Sequence, residues 1–124
     1  MIDAYAWIEY LDGTSKGAKV RDIIEDPHNT CVTSVVTAAE VVSKFVRRGK
    51  DPRLGIRALE DNSQLQPVDM SIARSAGEIH AELRKKVVDF GLADAFVLAT
   101  SRNKPSKVLT GDLHFKGVPE AVMI

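Results

Sequence analysis

Four acidic residues hold the chemistry this sequence has to offer: Asp3, Glu40, Asp94 and Asp112. Asp3 follows Met1-Ile2, Glu40 closes Thr37-Ala38-Ala39-Glu40, and Asp112 follows Thr110-Gly111. Asp94 is flanked by Leu92, Ala93, Ala95, Phe96, Val97 and Leu98. A carboxylate within so apolar a helix must protonate, find partners or hold a metal. At the helix N-terminus it would instead meet free N–H groups and the favourable end of the dipole. Local sequence leaves both readings of Asp94 open. Glu40 has an ordinary reading too, as the end of a Thr-x-x-Glu capping box or the partner of Lys44 one turn on. Asp3 alone reads as a helix cap and Asp112 as part of a Gly-Asp turn. Asp69, directly before Met70 and a long amphipathic stretch, reads as a cap and nothing more.

The four together are more informative than any one. Several carboxylates at one sheet edge repel one another unless a cation sits among them. Magnesium and manganese take oxygen ligands of this kind. A pair of such ions supports in-line attack on a phosphodiester. Other chemistries lack their residues. One cysteine, Cys31, excludes a disulfide framework within the chain, and the three histidines fall at no zinc-binding spacing. No Ser–His–Asp arrangement and no phosphate-binding glycine loop is present. Seventeen basic and seventeen acidic residues give zero net charge. That excludes nucleic-acid binding by bulk positive charge but permits a local basic patch. Lys44, Arg47, Arg48 and Arg102 are the candidates for it, with His114 beside the fourth acid.

At 124 residues, 44% hydrophobic and 27% charged, the chain is expected to form one domain, 1–124. No apolar run approaches the about 20 residues needed to span a bilayer. Met1-Ile2-Asp3 does not begin a signal peptide, so a cytoplasmic protein is expected. Periodicity predicts helices over 4–11, 17–26, 34–48, 51–62, 70–88 and 92–101. Short strands are predicted at 30–33, 65–68, 107–110 and 121–124. Strands alternating with helices give an α/β fold, a parallel sheet covered on both faces. In such sheets ligands bind beyond the carboxyl ends of the strands. Asp3 and Asp112 fall at such ends, and Glu40 and Asp94 near the starts of apolar helices.

In these pieces the chain resembles the PIN-domain ribonucleases, and more narrowly the VapC-type toxins of toxin–antitoxin pairs. The matching residues are Ile2-Asp3-Ala4, Thr37-Ala38-Ala39-Glu40-Val41, Gly91-Leu92-Ala93-Asp94-Ala95 and Leu109-Thr110-Gly111-Asp112-Leu113-His114-Phe115, in family order. The resemblance implies a three-layer α/β/α domain with a parallel sheet of about five strands. It implies that Asp3, Glu40, Asp94 and Asp112 are the catalytic, metal-binding set, with Thr110 supporting them. The implied activity is endoribonuclease cleavage of RNA with Mg2+ or Mn2+, and the implied partners are a cognate antitoxin and a second copy of the chain. Three departures stand out: a first strand with only Met1 and Ile2 before Asp3, where many relatives have a few more residues; Ala4 where many relatives carry Ser or Thr; and His114 where some carry a further acid. An inhibitory partner is expected to fill the acidic cleft with an arginine. Its apolar part would need a groove near Trp7, Ile8 and Leu11, with Trp7 as anchor if exposed and a core residue otherwise. The rival readings are a catalytically silent PIN-like scaffold and a phospho-acceptor receiver domain. The second is disfavoured, because Asp3 stands alone in its stretch and the 109–115 motif offers Asp rather than Lys.

Overall fold

A computed structural model describes residues 1–124. The helices are α1 (Ala4–Asp12), α2 (Ser15–Glu25), α3 (Val35–Arg47), α4 (Pro52–Asn62), α5 (Met70–Leu83) and α6 (Leu92–Asn103). The strands are β1 (Val32–Ser34), β2 (Gln64–Gln66), β3 (Val108–Thr110) and β4 (Ala121–Met123), with a 3-10 turn at Leu113–Phe115. No helix is long and apolar enough to cross a membrane.

Local chemistry explains the boundaries. Ser34 caps α3 by accepting from the Val36 N–H, so Thr37 and Glu40 lie inside the helix rather than in a capping box. Pro52 opens α4 behind an Asp51 cap. Asp69 caps α5 as expected, accepting from the Ile72 N–H at 2.9 Å. Two predicted elements shift. The strand expected at 65–68 runs Gln64–Gln66, because Pro67 has no N–H to continue a ladder. The helix expected to reach Val88 ends at Leu83, where the chain turns to bring Phe90 into the core against Phe115, ring centroids 5.6 Å apart.

The strands pair in parallel, β1 with β2 and β3 with β4. The expected sheet of about five strands takes the form of these two short pairs joined through Met1–Asp3. Ile2 N–H donates to Val32 O at 2.9 Å and Asp3 N–H to Leu109 O at 3.1 Å, while Leu109 N–H donates to Met1 O at 2.8 Å. Successive residues then fall on opposite faces. Met1 and Val108 join a core with Ile72, Ala76, Phe90 and Leu98 of the α5–α6 side. Ile2 and Leu109 join another with Trp7, Val20, Val41, Phe45 and Leu59 of α1 to α4. Helices therefore cover both faces, and every strand runs toward one carboxyl edge.

Candidate active site

Each of the four acids reaches that edge by a different route. Asp3 leaves the end of the Met1–Ile2 segment and is 3% exposed. Asp112 lies two residues beyond β3. Asp94 sits in the first turn of α6, where its Oδ2 accepts from the Gly91 N–H at 3.2 Å. The two open readings of Asp94 thus coincide, since one carboxyl both caps the helix and faces the site. Glu40 projects from α3, and its Oε1 is buried with no hydrogen-bond partner. The pairing with Lys44 that spacing suggested is not formed.

Thr110 ties two of the acids together. Its hydroxyl donates to Asp3 Oδ2 at 2.7 Å and accepts from the Asp112 N–H at 3.0 Å. The Asp112 carboxyl is held in turn by the His114 N–H and lies 2.9 Å from His114 Nδ1. Asp94, Asp112 and His114 each offer a ligand atom, all within 4.8 Å of one another. A cavity of about 640 Å³ opens over the group, lined by Asp3, Glu40, Asp94 and Asp112.

The electrostatics follow from burial among like charges. Desolvation pushes Glu40 up to about 7, and the charges of Asp3, Asp94 and Asp112 push the same way. Asp94 is raised to about 6 by burial, then by Asp3 and Asp112, against the pull of the Gly91 N–H and His114. Burial also raises Asp3, although the Thr110 hydroxyl opposes it. No lysine or arginine pairs with any of the four acids; His114, beside Asp112, is the one basic group in direct contact with them. The donors are hard oxygens with one imidazole, a set that fits Mg2+ or Mn2+. The orphaned Glu40 oxygen is the kind of buried acceptor that such an ion or its water would satisfy.

Three of the basic candidates, Lys44, Arg47 and Arg48, line the same cavity from α3. Arg48 is already paired with Asp12 at 2.8 Å. Arg102 does not belong with them. It lies eight residues after Asp94 on α6, about 12 Å along the axis, and pairs with Glu120 at 2.7 Å. Helical alternation put it at the opposite edge of the sheet. Trp7 is fully buried and donates from its indole nitrogen to Thr33 Oγ1 at 3.1 Å, so it is a core residue and cannot anchor a partner. The sequence reading passed over Tyr5, which also lines the cavity. Its spacing, two residues after Asp3, was the available signal.

A model of the PIN domain family matches residues 1–121. No curated protein matches the chain. Among solved structures, a toxin–antitoxin complex from Klebsiella pneumoniae superposes with TM-score 0.73 at 20% identity, covering 98% of this chain and 94% of that one. VapBC2 from Rickettsia felis, bound to a promoter DNA fragment, gives 0.75 at 15% identity, covering 100% and 96%. VapC20 from Mycobacterium tuberculosis, a toxin that cleaves the sarcin–ricin loop, gives 0.76 at 16% identity, covering 99% and 96%.

Proposed function

The chain belongs to the PIN domain family, and we propose that it is a divalent-metal-dependent endoribonuclease, the toxin of a toxin–antitoxin pair. The observation that carries this reading is the convergence of Asp3, Glu40, Asp94 and Asp112 on one cavity with no lysine or arginine paired to any of them. A fold kept only as a scaffold has no use for a buried, unpartnered Glu40 oxygen, which costs about 1–3 kcal/mol in desolvation.

Asp3, Asp94 and Asp112 are assigned to hold Mg2+ or Mn2+, with Glu40 completing the site directly or through a water. The bound ion would acidify a water and neutralise charge on the phosphate. Thr110 fixes the Asp3 carboxyl and the Asp112 backbone together, so both carboxylates keep one geometry. Glu40 Oε1, buried without a hydrogen-bond partner, is free to accept from a water in the cavity. Lys44, Arg47 and Arg48 on the rim draw the RNA backbone toward the acids. The same acidic cavity accepts an arginine from a cognate antitoxin, whose planar fork meets two carboxylates and displaces the ion. The antitoxin's apolar contacts lie elsewhere than Trp7. We assign the whole chain, 1–124, to one nuclease unit that works in the cytoplasm as a homodimer.

The test is cleavage of an unpaired RNA by the purified chain. Cleavage with Mg2+ or Mn2+, abolished by a chelator, is expected; RNA left intact under every metal condition overturns the reading. Expression alone should arrest growth, and co-expression of the neighbouring gene's product should restore it.

A further inference from the structure

Tyr5 is the one aromatic side chain that lines the cavity, and nuclease chemistry leaves it without a task. It belongs to neither core cluster, and it is 36% exposed. Its ring lies across Gly111, between Thr110 and Asp112. A Cβ at that position would overlap Tyr5 Cδ1 and Cε1, so only glycine lets the ring rest on the segment that carries the fourth acid. Lys16 Nζ, from α2, donates to Tyr5 Oη at 3.3 Å and stands 5.3 Å from the ring centroid. The ring thus rests against backbone at Gly111, meets the Lys16 ammonium at its hydroxyl and ring, and keeps about a third of its surface exposed where it lines the acidic cavity.

We propose that Tyr5 is a stacking platform for an unpaired nucleobase beside the phosphate that is cut, with Lys16 receiving an adjacent phosphate. The proposal rests on the nuclease reading and adds to it a residue that positions the base beside the cut. A tyrosine suits this role because it loses little rotamer freedom and offers a π-face to any base. In an A-form duplex the bases are stacked on one another and cannot reach a side-chain ring.

The test combines a variant with an altered substrate in steady-state cleavage of a short single-stranded RNA with Mg2+. Tyr5→Leu should raise KM by roughly five- to a hundredfold, the range of one base–aromatic stack, with kcat changed far less. Tyr5→Phe keeps the ring but loses the Lys16 contact at Oη, so its KM should rise less than that of Tyr5→Leu. An abasic nucleotide at the cut should penalise the wild-type chain but add little to Tyr5→Leu, because both remove the same contact. Should Tyr5→Leu fold poorly, the wild-type chain still tests the claim: an abasic nucleotide at the cut should raise its KM at least about fivefold, and one several nucleotides away far less. An unchanged KM in Tyr5→Leu, penalties that simply multiply, or equal KM for intact and abasic RNA in the wild-type chain overturns the platform and leaves the nuclease reading standing. Failure of the wild-type chain to cut any RNA with metal overturns both.

Discussion

The two edges of the sheet treat charge in opposite ways. At the amino edge, Arg102 at the end of α6 meets Glu120 ahead of β4, and the Met1 ammonium donates to Lys107 O at 2.8 Å. Glu120 is held below the usual carboxylate range by Arg102. Asp12, paired with Arg48 and Lys50, is lowered likewise. At the carboxyl edge, Asp3, Glu40 and Asp94 are all raised, by burial first and then, to differing extents, by one another and Asp112. α6 spans the two regimes, with Asp94 in its first turn and Arg102 in its last. A fold selected for stability alone would pair the carboxyl edge as it pairs the other. On the reading proposed above, the unpaired edge gives up stability for chemistry.

The largest break in this comparison should come from Asp94→Asn. It removes a negative ligand at nearly constant volume, and Asn still accepts from the Gly91 N–H. Cleavage should fall by more than about a hundredfold, beyond the loss typical for groups that only support a ligand. The metal-free variant should melt no lower than wild type at pH 8, since one like charge is gone. Wild-type cleavage in a titration of RNA against this variant would show that the unpaired edge is not the active one.

Thr110→Val should come next. The hydroxyl it removes donates to Asp3 and accepts from Asp112. Loss of both bonds should lower metal affinity about ten- to a hundredfold and destabilise by about 1–3 kcal/mol, through the buried groups left unpaired. Metal titration and chemical denaturation measure the two effects separately.

The comparison sharpens with pH. Asp3, Glu40 and Asp94 bind protons more tightly folded than unfolded, so their neutral forms favour the fold. The stability they contribute is complete below the unfolded carboxyl values, roughly 4. It is lost as pH rises through about 6 for Asp94 and about 7 for Glu40. Asp12, Asp51 and Glu120 act oppositely, losing stability only as pH falls from the unfolded carboxyl range through their lowered values, and the Met1 ammonium, lowered by burial, offsets part of the change as pH rises toward 8. The metal-free chain should therefore melt lower at pH 8 than at pH 5.5, and millimolar Mg2+ should narrow the gap. Cleavage should rise over the same interval as the carboxylates become free to bind the ion.

The smallest effect belongs to the amino edge. Arg102→Gln should leave cleavage unchanged and cost at most about 1 kcal/mol, as exposed ion pairs do. A large loss of RNA cleavage there would erase the distinction between the edges.

Much of this was legible in the residues because it is local. Asp69 before Met70, Pro52 after Asp51 and the apolar stretch after Asp94 carry their own signals, and four acids in family order pointed to one edge. What escaped notice depends on which way a chain returns. Arg102 looked available until the antiparallel run of α6 carried it away from Asp94. Trp7 shows the reverse case: its helical spacing fitted an exposed groove and a core equally well, and only packing against Thr33 decided. Glu40 matched a capping box until Ser34 took the cap. Tyr5 needed Gly111, more than a hundred residues away in sequence, to become a surface with a use.

The central claim is that the carboxyl edge is unpaired because a divalent cation belongs there. The most direct test is the melting temperature at pH 7.5 of the wild-type chain and Asp94→Asn, each with Mn2+ or Mg2+ titrated from zero. Binding to the native state at ten times the dissociation constant contributes about 1.4 kcal/mol, or roughly 3–6 °C for a chain of this size. The account predicts that rise for wild type, saturating with metal, and its loss in the variant. A wild-type melt insensitive to millimolar metal, or an equal rise in both proteins, would contradict it.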